Sequence, residues 1–407
     1  MLPRWVDQSL LGLKQAVGEK RMARLRRTAA YQWWRLGRER TFEERVERFL
    51  KNAPAGAPPY TEAALAASLR ARAAIRRLPK NGERLGVVAF GVDDWEDKGL
   101  WQAALRWGDG SRFDQRAHIR KSDGVVARRA QWTLQLLSHL DEREANGRPV
   151  HVVFLYAGAA DLEPALFESL HARGIWTVLM GLDDKQQWPE PLGGETEGRQ
   201  LSIAQKADVY WTTWRTGADL LAAQGGSPWY APPGADPTFF APKEVEKTIP
   251  VVWVGRLYGP RLELIRYLRE QGIDVRTFGF GTEGGPVSFD TLVTLFSQAR
   301  VVLGMGGVGP TDHVKHLKGR DFEAPMAGAC YLTSFNPELP DAYSIGDEVL
   351  CYASKQEALD TLRWLLARPE HAARIGRAAR VRALAHHTWD ARFARLGVLI
   401  SGGGGVA

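Results

Sequence analysis

The feature that most restricts the fold is an alternation of short β-rich runs with helical segments, which occurs twice along the chain. The first series contains LGVVAF, HVVFLYAG, WTVLMGL and ADVYWTT, and the second contains VVWVGRL, DVRTFGFG and RVVLGMG. Alternation of this kind predicts parallel sheets covered by helices. A stretch with five prolines, residues 231–250, separates the two series. We therefore predict an α/β protein with two doubly wound units that face a cleft.

Composition indicates a globular protein of more than one domain. The chain has 407 residues, which is too long for one ordinary core, and 44% of them are hydrophobic. No apolar stretch approaches the ~18–20 residues that span a bilayer, and Arg4, Asp7 and Lys14 interrupt any signal-peptide core. Cys330 and Cys351 lack metal-ligand spacing and predict buried, reduced thiols. We expect a cytoplasmic protein.

Residues 1–80 differ from the rest of the chain in their charge. They hold 18 Lys or Arg against 7 Asp or Glu, whereas the remainder holds 36 against 40. The spacing of apolar residues from Trp5 to Leu50 predicts two or three basic helices. Such helices can pack on the main body or contact an anionic membrane peripherally through residues 1–50. Nucleic acid is not expected as a partner.

A glycine-rich turn, VVLGMGGVGPTDHVKHLKGRDFEAP, is the most specific chemical signal. Gly304, Gly306 and Gly309 satisfy G-x-G-x-x-G after a predicted strand, a pattern that is weak evidence for a dinucleotide when it stands alone. Here it follows more than one strand of its unit and does not lead into a helix of small apolar residues. The glycines instead predict backbone amides that approach a phosphate.

Charged residues follow this turn and the first strand of the same unit. Lys315, Lys318 and Arg320 supply positive charge for a diphosphate. Glu323 offers a carboxylate to sugar or ribose hydroxyls. In VVWVGRLYGPR, Gly255 ends a predicted strand, and two cations lie just beyond it on the ligand side of a parallel sheet. These two cations are Arg256 and Arg261. The pattern favours a nucleotide-sugar over NAD or a flavin.

The chain resembles the CgeB-like branch of the GT-B glycosyltransferases. The resemblance covers roughly residues 150–395 and is strongest in VGRLYGPRLELIRYL, HLKGRDFEAPMAGACYLTSFNPEL, DEVLCYASKQEALDTLRWLLARPEHAARIGRAAR and HHTWDARF. It implies a GT-B fold whose C-terminal domain binds the activated sugar, with Glu323 on the donor's ribose. The related E-x7-E pattern has a second acid where this chain has Lys315. The diphosphate ligands implied by the resemblance are Arg256, Arg261, Lys318 and Arg320.

The implied activity is metal-independent, hexosyltransferase-like transfer from a nucleotide diphosphate donor to a hydroxyl of a glycan, lipid-linked or protein acceptor. No cofactor besides the donor is expected, because cations and backbone amides can stabilise the leaving diphosphate. His313 and His316 have only Asp312 as a near acidic neighbour, so no metal site is predicted. Alternatives are a nucleotide-sugar epimerase of GT-B fold and a non-catalytic sugar- or membrane-binding scaffold.

Four segments follow from these features. They are a basic helical extension at 1–80, an N-terminal Rossmann-like acceptor domain at 81–240, a C-terminal Rossmann-like nucleotide-sugar domain at 241–385, and a C-terminal helix with a flexible tail at 386–407.

The acceptor domain offers several candidate catalytic residues. An inverting transferase needs a general base on the acceptor hydroxyl, and Asp183 and Asp184 follow an apolar β-like run in GLDD. A retaining enzyme can work without such a base, so the stereochemistry stays open. Trp188 is the predicted acceptor contact, because sugars stack on flat aromatic faces. Further candidate bases are Asp93, Asp94 and His118.

Overall fold

Two α/β units, each built on an all-parallel sheet, make up most of the described chain. The computed structural model describes residues 43–48, 50–51, 59–91, 99–114, 125–159, 161–182, 184–188, 199–308 and 311–402. Several residues singled out in the sequence lie outside these ranges, namely Asp93, Asp94, His118, Asp183 and Gly309. Residues 1–42 and 403–407 also lie outside them.

The first unit contains a six-stranded sheet with the spatial order β2-β1-β3-β4-β5-β6. Its strands are β1 (Gly86–Gly91), β2 (Asp109–Asp114), β3 (Val152–Tyr156), β4 (Trp176–Gly181), β5 (Val209–Thr212) and β6 (Pro228–Tyr230). Its helices are α1 (Glu62–Arg72), α2 (Leu100–Arg106), α3 (Val125–Ala145), α4 (Pro164–Ala172), α5 (Asp184–Gln187), α6 (Arg199–Lys206) and α7 (Arg215–Ala223). Strands β1 and β4 are buried along their whole length, which explains why they read as continuous apolar runs.

The second unit contains a five-stranded sheet with the spatial order β11-β10-β9-β7-β8. Its strands are β7 (Ile249–Val254), β8 (Val275–Phe278), β9 (Ala299–Leu303), β10 (Tyr331–Ser334) and β11 (Leu350–Tyr352). Its helices are α8 (Gly259–Glu270), α9 (Phe289–Gln298), α10 (Arg320–Met326), α11 (Lys355–Leu366) and α12 (Pro369–His386), with a short 3-10 helix at Leu339–Asp341. The proline-rich stretch lies between β6 and β7 and connects the two units.

Polar caps set the starts of several helices. Ser288 accepts a hydrogen bond from the amide of Thr291 at the start of α9, and Ser354 accepts one from the amide of Glu357 at the start of α11. Each cap satisfies one of the amides that a helix N-terminus leaves without an intrahelical partner. The local sequence therefore determines where α9 and α11 begin.

Residues 59–80, the last part of the segment that we predicted as a basic helical extension, pack on the first unit. Leu65 and Leu69 of α1 are buried in the core cluster that contains β1 and β4. Arg76 donates two hydrogen bonds of 3.0 Å to the buried carboxylate of Asp208, next to β5. Arg72 of α1 and Arg76 just after it therefore attach this segment to the first unit.

The final helix, α13 (Trp389–Ile400), returns from the second unit to the first. Its residues Trp389, Phe393 and Leu396 are buried in the same core cluster as Trp211 of β5. The ring of Phe393 lies 5.6 Å from that of Trp211, in an edge-to-face arrangement. The helix that we predicted at the C-terminus is thus an integral part of the first unit.

The structure describes residues that bear on two expectations, the lack of a membrane-spanning segment and the state of the two cysteines. Within the described ranges, no helix combines the length and the apolar character needed to cross a bilayer. Cys330 and Cys351 are both free thiols, but only Cys330 is buried as predicted, whereas Cys351 is half-buried.

Candidate functional site

The glycine-rich turn follows β9 and packs against β10. A Cβ atom on Gly304 would lie 2.0 Å from the hydroxyl oxygen of Tyr331, so only glycine fits there. The amide of Gly306 donates a 2.9 Å hydrogen bond to Ser334 Oγ. This differs from the predicted phosphate nest, because packing against β10 accounts for Gly304 and the Gly306 amide already has a protein partner.

Gly255 and Arg256 lie just beyond the carboxyl end of β7. Gly255 has a φ of +152°, a conformation that residues with a side chain rarely adopt. Arg256 is exposed, and its guanidinium carbon lies 5.9 Å from the ring centroid of Phe280. A cation at this place is free to meet an anionic ligand at the sheet edge.

Arg261, in the first turn of α8, connects this strand end to the glycine-rich turn. Its Nη2 donates a 3.3 Å hydrogen bond to the carbonyl of Gly307. Its guanidinium carbon also lies 4.6 Å from the ring centroid of Tyr258. The loop after β7 and the glycine-rich turn after β9 are therefore in contact through this side chain.

Arg320 and Glu323, on successive turns of α10, form an ion pair beside β7. Arg320 Nη1 lies 2.8 Å from Glu323 Oε2, and Arg320 Nη2 donates a 3.3 Å hydrogen bond to the carbonyl of Val254, the last residue of β7. Glu323 is only 8% exposed, and burial raises its pKa whereas Arg320 lowers it. The pair places a cation and a carboxylate at the same strand end as Gly255.

Lys318 precedes α10, and its backbone amide donates a 2.7 Å hydrogen bond to Asp321 Oδ2. Asp321 also accepts a 2.7 Å hydrogen bond from the hydroxyl of Tyr331. Burial raises the pKa of Asp321 to about 6, although these hydrogen bonds act in the opposite direction. Asp321 therefore fixes the connection between the glycine-rich turn and α10.

The glycine-rich turn is also where the two units meet. From the first unit, Lys185 Nζ donates a 2.6 Å hydrogen bond to the carbonyl of Lys315 and lies 3.4 Å from Glu338 Oε1. Thr213 Oγ1 and His316 Nε2 are 3.0 Å apart. The candidate site thus lies beside a seam between the units, here defined by Lys185, Thr213, Lys315, His316 and Glu338.

Asp184 does not have the surroundings of a general base that meets a substrate. It is completely buried, and its two carboxylate oxygens accept hydrogen bonds of 2.5 Å from the hydroxyls of Tyr210 and Thr212. Because an acceptor hydroxyl must come within hydrogen-bond reach of the base, this arrangement indicates a support for the ends of β4 and β5. The prediction of a catalytic role for Asp184 is corrected accordingly.

Trp188 also differs from the prediction. Its side chain is 2% exposed and packs against Tyr210 and Trp214, at ring-centroid distances of 5.8 and 5.7 Å. The segment after β4 forms the short helix α5. Trp188 follows this helix and packs into the core cluster that contains residues of α3, α4 and α6. A sugar cannot stack on a ring whose faces are covered by protein.

The site residues that sequence reasoning missed are Lys185, Asn336 and Glu338. Asn336 and Glu338 follow β10 in the segment SFNPEL, where a carboxyl strand end with polar residues was an available signal. Lys185 is buried, and burial lowers its pKa while Glu338 raises it. Its role depends on a contact with the other unit that no local pattern indicates.

Lys315 and the nearby histidines complete the description of the turn. Lys315 Nζ lies 2.6 Å from Asp312 Oδ1, so the side chain at this position is engaged locally. His316 is buried against Thr213. Among the described residues, no group of three or more His, Cys, Asp or Glu side chains could hold a metal ion.

Part of the basic N-terminal segment contacts the same turn. Residues 43–48 and 50–51 are helical, and Val46 is buried against Val308 and Val314. Glu43 accepts a hydrogen bond from the hydroxyl of Thr311. This part of the segment therefore packs on the second unit beside the candidate site.

Comparison with known proteins bears on the family and on the fold. Residues 260–397 match the family described as glycosyl transferase-like. Comparison with curated protein sequences gives no match.

Several solved structures share the two-unit architecture. Sucrose-phosphate synthase from Thermosynechococcus elongatus superposes with a TM-score of 0.56 at 13% identity, covering 77% of this chain and 98% of that one. HepE from Anabaena, in complex with UDP and glucose, gives 0.54 at 11% identity and covers 78% and 99%. A glycosyltransferase from Rickettsia africae gives 0.52 at 7% identity and covers 78% and 98%. The chain therefore has the GT-B fold, and its residues 260–397 are similar to the glycosyl transferase-like family.

Proposed function

We propose that this protein is a glycosyltransferase that moves a sugar from a nucleotide diphosphate donor to a hydroxyl acceptor. The observation that carries the proposal is the convergence of Arg256, Arg261, Arg320 and Glu323 at the carboxyl end of β7. The family match over the second unit supports it. HepE, which shares the fold, was solved with UDP and glucose, and we extend that ligand class to this chain as part of the proposal. Assignment to the CgeB-like branch is also proposed.

Each side chain has a role that its position suits. Arg256 and Arg261 donate to diphosphate oxygens, and Lys318 adds positive charge from the segment that leads into α10. When the bond between the sugar and the diphosphate breaks, negative charge grows on the leaving diphosphate, and fixed cations stabilise it. We propose that these cations suffice without a metal ion or a further cofactor.

Glu323 is proposed to accept hydrogen bonds from the donor's ribose hydroxyls. Burial raises the pKa of Glu323, and its ion pair with Arg320 acts in the opposite direction by favouring the charged carboxylate. Arg320 therefore acts on both halves of the nucleotide, as a counterion for Glu323 and as a neighbour of the diphosphate.

The acceptor is proposed to enter from the first unit. Asp183 stays a proposed general base, whereas Asp184 is a support for the strand ends. Contact between the units at the seam would exclude water, which otherwise competes with the acceptor hydroxyl. We propose a glycan, lipid-linked or protein acceptor, and a cytoplasmic enzyme that contacts anionic membrane peripherally through residues 1–50.

The proposal is tested by calorimetric titration of UDP, GDP and dTDP into the wild-type protein and Arg256→Ala. We expect at least one nucleotide to bind, and the substitution to weaken it about 10- to 100-fold, the range for hydrogen bonds to charged groups. Thermal unfolding should not change, since Arg256 is exposed. Arg377→Ala, an exposed arginine on α12, is the matched control and should bind like the wild type.

Two results would contradict the proposed reaction, and a third would contradict the role of Arg256. A wild-type protein that binds none of the three nucleotides would favour a non-catalytic scaffold. Conversion of a nucleotide-sugar in the absence of any acceptor, read by NMR, would favour an epimerase. Equal nucleotide affinity in Arg256→Ala and wild type would remove Arg256 from the site.

A further inference from the structure

Two buried side chains beyond the carboxyl end of β10 carry polar atoms without a partner. Asn336 is 3% exposed and Glu338 is 8% exposed. Within the described part of the chain, no hydrogen-bond partner reaches Asn336 Nδ2 or Glu338 Oε2. Because a buried polar atom without a hydrogen bond is costly, native proteins supply such atoms with water or a ligand.

These atoms lie next to the glycine-rich turn. Ser334, which ends β10, accepts the hydrogen bond from the Gly306 amide, and Asn336 follows two residues later. Asn336 Oδ1 accepts a 3.0 Å hydrogen bond from the amide of Glu338, which fixes the relative positions of the two side chains. The pair is thus continuous with the candidate donor site.

The other side of the pair faces the first unit. Glu338 Oε1 accepts a 3.3 Å hydrogen bond from the amide of Arg215 and lies 3.4 Å from Lys185 Nζ. Lys185 in turn holds the carbonyl of Lys315 in the turn. Asn336 and Glu338 therefore lie where both units and the turn come together, which is where a transferred group must be held.

The chemistry of Asn336 Nδ2 and Glu338 Oε2, the two atoms without a partner, indicates the kind of ligand that can bind them. Lys185 already compensates the charge of Glu338, so the pair offers no net positive charge to a phosphate, and its carboxylate would repel one. What is left is an amide donor beside a carboxylate acceptor. A hydroxyl group can accept from the first and donate to the second, so a polyhydroxylated, uncharged ligand satisfies both.

We propose that Asn336 and Glu338 form the sugar subsite of the donor and select the sugar through its hydroxyls. This inference rests on the proposed glycosyl transfer. It assigns residues to the sugar of the donor, whereas the arginines at the end of β7 are proposed to bind the diphosphate. Lys185 is a positioning residue, because it acts through Glu338 and the turn.

The test separates sugar binding from nucleotide binding. Dissociation constants are measured for UDP and GDP and for UDP-glucose, UDP-N-acetylglucosamine and GDP-mannose, in wild type, Asn336→Ser and Glu338→Gln. The serine keeps an oxygen for the Glu338 amide and lacks the amide donor. We expect each variant to weaken the preferred nucleotide-sugar about tenfold while the matching nucleoside diphosphate keeps its affinity within about twofold.

The controls and the opposing outcomes are judged by one quantity, the ratio of the dissociation constant of the nucleotide-sugar to that of the matching nucleoside diphosphate. Asn146→Ser and Glu283→Gln alter an exposed asparagine and a glutamate of an exposed ion pair, and should leave the ratio unchanged. If Glu338→Gln fails to fold because Lys185 loses its partner, Asn336→Ser decides alone. Equal losses for nucleotide and nucleotide-sugar, or no loss for either, would overturn the subsite and leave water as the partner. Failure of wild type to bind any nucleotide would instead contradict the proposed function.

Discussion

Replacing Arg320 by alanine should destabilise the protein strongly at neutral pH and much less in mild acid. The substitution leaves the buried carboxylate of Glu323 without its counterion. Breaking a buried ion pair by removing one partner costs about 3–5 kcal/mol. Arg320 keeps 23% of its side chain exposed, so we expect a loss near the lower end, about 3 kcal/mol, at pH 8.

The sign of the pH dependence follows from the pKa of Glu323. Burial raises that pKa, and Arg320 is what lowers it. Without Arg320, the pKa rises further above the unfolded value of about 4.3, so the folded state binds a proton that the unfolded state releases. Stability of the variant therefore falls as pH rises above about 5, by up to ~1.4 kcal/mol per pH unit.

Urea unfolding followed by circular dichroism at pH 5, 6, 7 and 8 measures this effect. The variants are Arg320→Ala, Glu323→Gln and the double substitution, which removes both charges and should be more stable at pH 8 than Arg320→Ala alone. A loss that is the same at pH 5 and pH 8, or a double variant that simply adds the two single losses, would refute the reasoning. Either result would mean that the Glu323 carboxylate does not depend on Arg320.

Two further predictions concern other parts of the chain. Asp208 is 1% exposed; burial raises its pKa, but hydrogen bonds from His171 and Arg76 lower it to about 2. Asp208→Asn should therefore lower the free energy of unfolding by about 3–5 kcal/mol at pH 7. This loss should shrink as pH falls from about 4 towards 2, and thermal unfolding of both proteins measures it. An unchanged unfolding midpoint would contradict the role of Asp208 in holding α1 on the first unit. Deleting residues 1–42 keeps the helical residues that contact the glycine-rich turn. The deletion should abolish co-sedimentation with phosphatidylserine vesicles and preserve nucleotide affinity. Equal vesicle binding by the full chain and the shortened chain would contradict the proposed membrane contact.

Much of the fold could be predicted because a buried parallel strand leaves a local trace. Strands such as β1 and β4 are apolar along their length, and the proline-rich stretch falls between the two sheets. Strand β2, with the sequence DGSRFD, left no such trace. It lies at the edge of the first sheet, where only one neighbour pairs with it and polar residues are tolerated.

The candidate site could be predicted in part, for a geometric reason. Carboxyl ends of neighbouring parallel strands meet at one edge, so Arg256, after β7, comes close to the segment after β9 that carries Arg320. Burial was harder to foresee. Asp184 and Trp188 follow a strand in the expected way, but the packing of α5 covers both. The pairing of Lys185 with Glu338 spans 153 positions, and no local pattern encodes such a distance.

The return of α13 to the first unit has a consequence for synthesis. Trp389, Phe393 and Leu396 fill a core that also contains Val87 and Trp211, residues made far earlier. While a ribosome is still producing the second unit, the part of this core that α13 fills is not yet covered. Because exposed apolar surface favours aggregation, we expect a chain cut short before Trp389 to aggregate more readily than the full-length protein.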